Sequence, residues 1–525
     1  MNKTTCTIII FSLFSLCSLG QTTRKTTYLD LLKTLAEKQH LKLSYSNDLL
    51  ALSDSTDFIF STNPDSCLTE LQNQTRLKIS KTETHLVVAS KAPAYIHLQG
   101  KVVDAKSGEL LPYANILIEK AGTGTISNTN GEFDFKIQGR YAGSEVKFSF
   151  MGYGIQKLKI PFADNDELLI KLTPKPYTLA DVFVLPNGNE ALDIVKRAVK
   201  NIKRNYDRNT HQMKAFYRNT NYRDTTATQL IEAALLIEDK GIMHPTSTTK
   251  IELEEIRKST NYQIPMKIKH KAALKIMEKY FGGHRNTFYR TYSNYVRIYR
   301  DEWWYQPLTD YETFKYEFAG FEWLDSIKIY KIKFIYDRLQ PDGKRASENK
   351  YSDNGGFIYI NSEDWAILKI EKWWKIFSGH PNQNMAIKGD YVSKDEMGYQ
   401  KINGKYYLKY TSGHASPNGE YFVYENPDAP NKEKVIKQRQ YAETTLLITK
   451  VITNKKEMDK IRYREKLAKN ENSYETNYPY NPSFWKNYNI LKENPLEEKF
   501  VNEMEWEKSL DIQFEENSSN NAQDK

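Results

Sequence analysis

The chain has 525 residues, 13% of them aromatic and 27% charged, with a formal net charge of +9. So many aromatic side chains exclude a disordered chain and suit β-structure, while the length allows two to four domains of roughly 100–200 residues. The positive charge is spread along the chain without a Lys/Arg block, which argues against a nucleic-acid partner.

The first element is a targeting segment. Lys3, the apolar run "CTIIIFSLFSLCSL" and the small residues Ser18 and Gly20 have the layout of a cleaved secretory signal peptide over 1–20. The run is short for a spanning helix, which needs about 20 residues. No later stretch is longer, so membrane association, if any, is expected to be peripheral. Cys6 and Cys17 leave with the signal. Cys67 then stands alone, which excludes an intramolecular disulfide and a cysteine metal cluster. Its spacing from Leu68 and Leu71 predicts a small buried apolar side chain on a short helix.

Residues 28–91 alternate helix and strand. "YLDLLKTLAEKQH" places Tyr28, Leu31, Leu32 and Leu35 on one helical face, "LKLSYS" alternates as a half-buried strand, and "LKISKT" with "THLVVAS" predicts a hairpin. With "SCLTELQNQT" as a second helix leading into "TRLKIS", this order resembles the short N-terminal domain shared by secretins and TonB-dependent receptors. The resemblance implies a periplasmic docking module without catalysis.

Residues 96–173 have period 2 almost throughout. Ala114, Ile116 and Ile118 alternate with polar neighbours, as do Phe133, Phe135 and Ile137, then Val146, Phe148 and Phe150. Ser107-Gly108, Asn130-Gly131 and Gly152 mark turns, and Asn-Gly favours a two-residue hairpin. Short strands punctuated in this way predict a β-sandwich able to fold alone, with Phe148 in its core. Gly100, Asp104, Gly108, Leu111-Pro112, Ala114-Asn115, Gly124-Thr125, Asn130-Gly131, Phe133 and Gly152 within "FSFMGY" fall as in the carboxypeptidase regulatory-like family. That resemblance implies a transthyretin-like fold. Asn128 and Asn130 stand where the family usually has an acidic residue. The motif is made of turn and core residues and carries no chemistry.

Residues 189–206 form an amphipathic helix: Leu192, Val195, Val199 and Ile202 make the stripe, and Lys196, Arg197, Lys200, Lys203 and Arg204 cover the rest. It is either a linker helix docked on the next domain or a helix lying on a membrane surface. From 207 to 455 the pattern is β. "DSIKIYKIKFIYD" slips phase between Ile329 and Ile332, which predicts a bulge. Hairpins are predicted around Asn361–Asp364 and on Asn403-Gly404. The run resembles the half-barrel sheets of lipoprotein carriers. Residues 456–514 predict a charged helix and a Pro/Tyr segment (478–491) packed over the sheet, and 515–525 a disordered tail.

A peptidase site is missing. A zinc carboxypeptidase needs closely spaced His and acid plus a distant His, and none of the nine histidines begins H-x-x-E. There is no G-x-S-x-G elbow, phosphate loop or dinucleotide fingerprint. Ser412, His414 and Ser416 crowd one short polar stretch, unsuited to a triad. No catalytic residue, cofactor or metal is therefore assigned. The pairs Trp303-Trp304 and Trp373-Trp374 each put one ring on either face of a strand. The outward ring could border a groove for a lipid, a glycan or an envelope protein.

The fold class expected is mainly β and multidomain: a small α+β module, a transthyretin-like sandwich, and a large antiparallel β-rich domain. A 22-stranded receptor barrel with its plug needs roughly twice the ~320 residues that remain. The expected function is a non-enzymatic interaction module, exported to the periplasm or to the periplasmic side of the outer membrane. Two alternatives stand beside it: a lipid or lipoprotein carrier using a half-barrel groove, and an unrecognised hydrolase, which would need acids and His converging in one pocket.

Overall fold

Why the first module folds is visible at its helix ends. In a computed structural model, which describes residues 23–45, 55–59, 63–75, 77–90, 93–164, 167–175, 190–223, 226–245, 248–261, 294–297, 306–338, 346–348, 352–376, 391–424, 433–461, 479–492 and 508–519, β1 (Thr23–Thr27) leads into α1 (Tyr28–Lys38). Thr27 Oγ1 accepts from the Asp30 amide at 3.2 Å, capping the helix. After β2 (Lys42–Tyr45) and β3 (Ser55–Ile59), Asn63 caps α2 (Pro64–Gln74), whose first-turn proline needs no amide partner. β4 (Leu77–Lys81) and β5 (His85–Ser90) form the expected hairpin, with β2 parallel to β5. Leu31, Leu32, Leu35, Leu71, Leu77 and Leu86 share one core with Cys67, which is buried as the helical spacing predicted. Residues 1–96 together with 138–143 make up this first compact unit; the expected signal peptide lies outside the described residues.

The second unit (97–137 and 144–525) is mainly β. Its sandwich has two sheets. One is β12-β6-β9, from β6 (Tyr95–Asp104), β9 (Glu132–Gln138) and β12 (Leu168–Leu172). The other runs β11-β10-β7-β8, from β7 (Asn115–Ile118), β8 (Thr123–Ile126), β10 (Glu145–Ser149) and β11 (Gln156–Lys159). Of the apolar positions read from the alternation, Ala114, Ile116, Phe133, Phe135, Val146 and Phe148 are fully buried, while Phe150, past the end of its strand, is half-buried.

Asn130-Gly131 does not close a two-residue hairpin. Here the chain crosses from one sheet to the other, and the turn is built by Asn128, whose Oδ1 accepts from the Asn130 and Glu132 amides at 2.9 Å each. A buried asparagine bonding its own backbone replaces the hairpin geometry. Of the other motif residues, Asp104 Oδ1 accepts from the Lys106 and Ser107 amides, and its Oδ2 accepts from the Tyr153 hydroxyl at 2.9 Å. Tyr153 is brought there by the turn at Gly152, which has φ +90°. Gly100 has no room for a side chain against Leu168 of the parallel neighbour.

α3 (Glu190–Asn205) follows, then β13 (His211–Arg223), β14 (Thr226–Asp239) and β15 (Lys250–Lys258). The remaining strands are β16 (Phe314–Leu324), β17 (Ile327–Tyr336), β18 (Ser352–Asn361), β19 (Ile367–Ile376), β20 (Tyr391–Ile402), β21 (Lys405–Tyr424) and β22 (Glu433–Ile452). They pair antiparallel in the order β15-β14-β13-β22-β21-β20-β19-β18-β17-β16. The sheet curls around α3. Ala191, Ile194, Val195, Ala198 and Ile202 share its core with Met213, Leu235, Ile332, Ile358, Ile370 and Ile448. The buried stripe is therefore turned slightly from the expected one, with Leu192 and Val199 half-buried.

Two local readings are resolved differently. Asn403 (φ 48°) and Gly404 (φ 82°) form the expected hairpin turn between β20 and β21. The bulge read into β17 instead lies on β16, where pairing jumps from Phe318 to Phe321 past Gly320 (φ 111°). The phase slip in β17 has another cause: Ile329 and Ile332 are both buried, one on each face of a regular strand.

The sandwich is also joined to the large sheet, which its local turn signals do not reveal. β8 pairs with β22 beyond the point where β21 leaves that edge. The Val451 amide donates to the Gly122 carbonyl at 2.7 Å, and Thr123 Oγ1 donates to the Thr449 carbonyl at 2.8 Å. Gly122 has φ +59°, and a Cβ there would lie 2.8 Å from the Val451 oxygen.

The outer face of β13–β15 is covered by the C-terminal segments. α4 (Pro482–Asn487) places Trp485 against Phe216, Ala234 and Leu447. α5 (Leu510–Ser519) packs Leu510 and Phe514 against Tyr222, Ala227 and Leu230. The helix continues through 515–519, where a disordered tail was expected. Its hold comes from Gln513, fully buried, whose Oε1 accepts from the Thr260 amide at 3.0 Å, and from Asn517, which donates to the Lys258 carbonyl. The expected charged helix after 461 lies outside the described residues.

Candidate interaction face

The exposed chemistry of the large sheet lies on the side away from α3. Along β19, Ile370 points into the core, so alternation turns Lys369, Glu371, Trp373 and Lys375 outward and Trp374 inward. Both tryptophans are half-buried. Trp303 and Trp304 lie outside the described residues.

Trp373 is held in place. Its Nε1 donates to Asp353 Oδ1 at 3.0 Å, Lys375 Nζ donates to the other Asp353 oxygen at 3.0 Å, and its ring lies 5.5 Å from Phe357. Opposite Trp373 stands Gly355, where a Cβ would come within 3.3 Å of the indole. A glycine here lets the ring lie flat against the neighbouring strand.

Next to this pair is a ladder of alternating charge. Lys331 Nζ sits 4.8 Å from the Phe357 ring and pairs with Glu322 at 3.1 Å. Lys369 Nζ sits 4.4 Å from the Tyr359 ring and pairs with Glu371 at 2.5 Å. The Tyr359 hydroxyl donates to Glu371 Oε1 at 3.0 Å. Burial and the Glu371 carboxylate raise the Tyr359 hydroxyl well above its usual range. Burial would lower Lys369, but Glu396 and Glu371 hold its ammonium above its ordinary value.

Where this face approaches the sandwich, pairing of β20 with β21 skips from Tyr410 to Leu408, leaving Lys409 as the extra residue of a bulge. A bulge re-aims side chains: Lys409 Nζ lies 5.2 Å from the Tyr410 ring and 3.5 Å from the Tyr113 carbonyl of the sandwich. Tyr113 and Tyr410 stack at 5.9 Å, and the Tyr410 hydroxyl donates to Glu396. Burial lowers Lys409 to about 7, with Lys369 adding to the effect and Glu396 opposing it. Between that value and the ordinary 10.5 the unfolded chain holds a proton that the folded chain has released. Stability therefore rises with pH across this window. Lys409→Met is expected to stabilise the protein at neutral pH and to flatten that rise, read as urea midpoints at a series of pH values.

Among the described residues, the cluster from Trp373 to Lys409 holds acids, lysines and tyrosines, with no histidine in contact with it. Ser412, His414 and Ser416 lie together on β21, and His414 faces Glu443 at 3.7 Å. Among the described residues no group of three or more His, Cys, Asp or Glu is placed to hold a metal ion, and no helix is long and apolar enough to cross a membrane.

No curated protein matches the chain in sequence. Among solved structures it is similar to a domain described as an outer membrane lipoprotein-sorting protein from Vibrio parahaemolyticus, at 8% identity and a TM-score of 0.24, over 51% of this chain and 95% of that one. It is also similar to a DUF1329 family protein from Desulfovibrio piger ATCC 29098, at 10% identity and a TM-score of 0.20, over 51% and 93%. One family model matches: residues 98–184, the sandwich and the stretch that follows it, are similar to the CarboxypepD_reg-like domain, a regulatory domain and not a catalytic one.

Proposed function

We propose that this protein is a non-enzymatic cell-envelope protein acting as an interaction module at the periplasmic side of the outer membrane. The observation that carries this reading is the filling of the curled sheet: Val195, Ala198, Ile332, Ile358 and Ile370 are all at most 1% exposed. The concave side, where a carrier would seat an acyl chain, is occupied by the protein's own helix. Recognition is left to the outer face, where half-buried aromatic rings, the side chains enriched at protein interfaces, lie on rigid strands beside charges already paired with one another. The similarity of 98–184 to a regulatory domain supports a role without chemistry of its own, as does the resemblance of 28–91 to a docking domain.

A photo-crosslinking residue at position 371, on the same face of β19 as Trp373, in protein exported by the cell, is expected to give one discrete adduct with an envelope protein. Trp373→Ala should weaken binding of that purified protein at least about tenfold, the effect of an aromatic anchor, while leaving a cooperative melt. An acyl lipid co-purifying in stoichiometric amount would replace this reading with the carrier. Unchanged binding by Trp373→Ala would remove the face from consideration.

A further inference from the structure

The five basic residues of α3 divide into two sets. Arg197 and Arg204 lie on one side of the helix and are engaged: Arg197 stacks 5.3 Å from the Trp365 ring, and Arg204 donates to the Asp364 carbonyl at 3.3 Å. Lys196, Lys200 and Lys203 follow i, i+4, i+7 spacing and share another side. With Val199 and Tyr311 they line a pocket of ≈ 500 Å³. Tyr311 belongs to the turn Tyr311–Thr313 before β16 and is braced by Tyr316, whose hydroxyl donates to the Pro307 carbonyl at 2.5 Å. Lys196 Nζ lies 5.6 Å from the Tyr311 ring. Among the described residues no carboxylate pairs with Lys196, Lys200 or Lys203, whereas each lysine of the outer-face ladder, Lys331, Lys369 and Lys375, has one.

We infer that this pocket is an anion site that takes a phosphate group. Three ammonium groups without counter-charges around one concavity create a positive field that attracts anions. Three of its five lining side chains are lysines and it is open to solvent, which disfavours an acyl chain; it suits a phosphoryl group, with Val199 and Tyr311 against the apolar atoms beside it. A phosphate on a lipid headgroup and a soluble phosphate share this chemistry. The site lies apart from the Trp373 face and does not depend on the function proposed for it.

The test uses the whole protein and two probes: vesicles of phosphatidylcholine with and without phosphatidylglycerol, and inorganic phosphate. The variant is Lys200→Glu with Lys203→Glu. The control is Lys78→Glu with Lys171→Glu, exposed lysines elsewhere that change the net charge equally. A lysine near an anionic surface contributes roughly fivefold to binding, so the groove variant is expected to bind phosphatidylglycerol vesicles about 25-fold more weakly, and the control to bind as the parent does. Vesicle binding insensitive to inorganic phosphate would identify the headgroup as the source. Saturable binding of inorganic phosphate, lost in the groove variant, would identify a soluble phosphate. Equal loss in variant and control, or no binding to either probe, would overturn the site.

Discussion

Glu232→Ala is expected to lower the unfolding free energy by about 3–5 kcal/mol, the usual effect of removing one member of a buried ion group. Arg218, Glu232 and Arg257 stand in register on β13, β14 and β15. Glu232 is fully buried, with its Oε1 2.7 Å from Arg218 Nε and its Oε2 2.6 Å from Arg257 Nε. Arg257 in turn lies 4.6 Å from the Trp485 ring and 5.2 Å from that of Phe514. Loss of the carboxylate removes the charge that both guanidiniums share beneath the C-terminal cover. Burial opposes ionisation of Glu232, but Arg257 and Arg218 win and hold its carboxyl below the ordinary 4.5. Its contribution is therefore complete above pH 4.5 and is lost as pH falls through the depressed value. Urea unfolding at neutral and acid pH measures both effects. Combining Arg218→Met, Glu232→Leu and Arg257→Met in one variant should recover most of the loss, because well-packed apolar residues replace buried ion groups at little cost. A loss below about 1 kcal/mol for Glu232→Ala would mean that the triad is solvated.

Phe148→Ala should cost about 3–5 kcal/mol, the range for emptying a buried phenylalanine site. The ring is fully buried and lies 5.5 Å from Phe133, so the void opens between the two sheets of the sandwich. The strand that carries it, β10, pairs with β7, β7 with β8, and β8 with β22. Asn489 adds a second tie: its Oδ1 accepts from the Lys136 amide at 2.7 Å and its Nδ2 donates to the Lys136 carbonyl at 2.9 Å. Calorimetry should therefore show the sandwich and the large sheet melting in one transition that moves as a whole in the variant. An early transition with the size of the sandwich alone would show that the junction does not couple them.

What the sequence made legible was local. The alternation of Phe133, Phe135 and Ile137 and the Asn403-Gly404 turn each depend on neighbours a few residues apart, and each took the expected form; the stripe of α3 did so only in part, rotated so that Ile194 and Ala198 are buried. The errors came where a distant partner decides. Asn130-Gly131 has the composition of a hairpin, yet Asn128 and the two-sheet crossing govern it. Ile329 and Ile332 suggest a bulge only if one face of β17 is assumed to be wet. Residues 515–519 look polar, and Gln513 and Asn517 show why polarity was misleading: their amides bond to the edge of β15. At the candidate face the sequence pointed to Trp373 but missed Lys409, and beneath the C-terminal cover it missed the Arg218–Glu232–Arg257 group. "FYRNT", "LIEAALL" and "EIRKS" each place a charge in phase with apolar neighbours, a signal of buried pairing that becomes readable only once three strands are aligned.

The position of β22 has a consequence for how the chain reaches this state. One edge of β22 closes β13, and the other is shared by β21 and β8. Thr449 donates to the Lys214 carbonyl from 235 residues away, and Thr123 meets the Thr449 carbonyl from 326 residues away. Contacts this remote make folding slow, because the loop must close before the pairing repays it. As the chain emerges from its N-terminus, β8 and β13 wait with open hydrogen-bonding edges until nearly the whole of it has appeared. Open edges invite pairing with other chains. The assembly is thus most vulnerable to aggregation just before its last long strand arrives, and a holding chaperone that shields these two edges would have the greatest effect on yield.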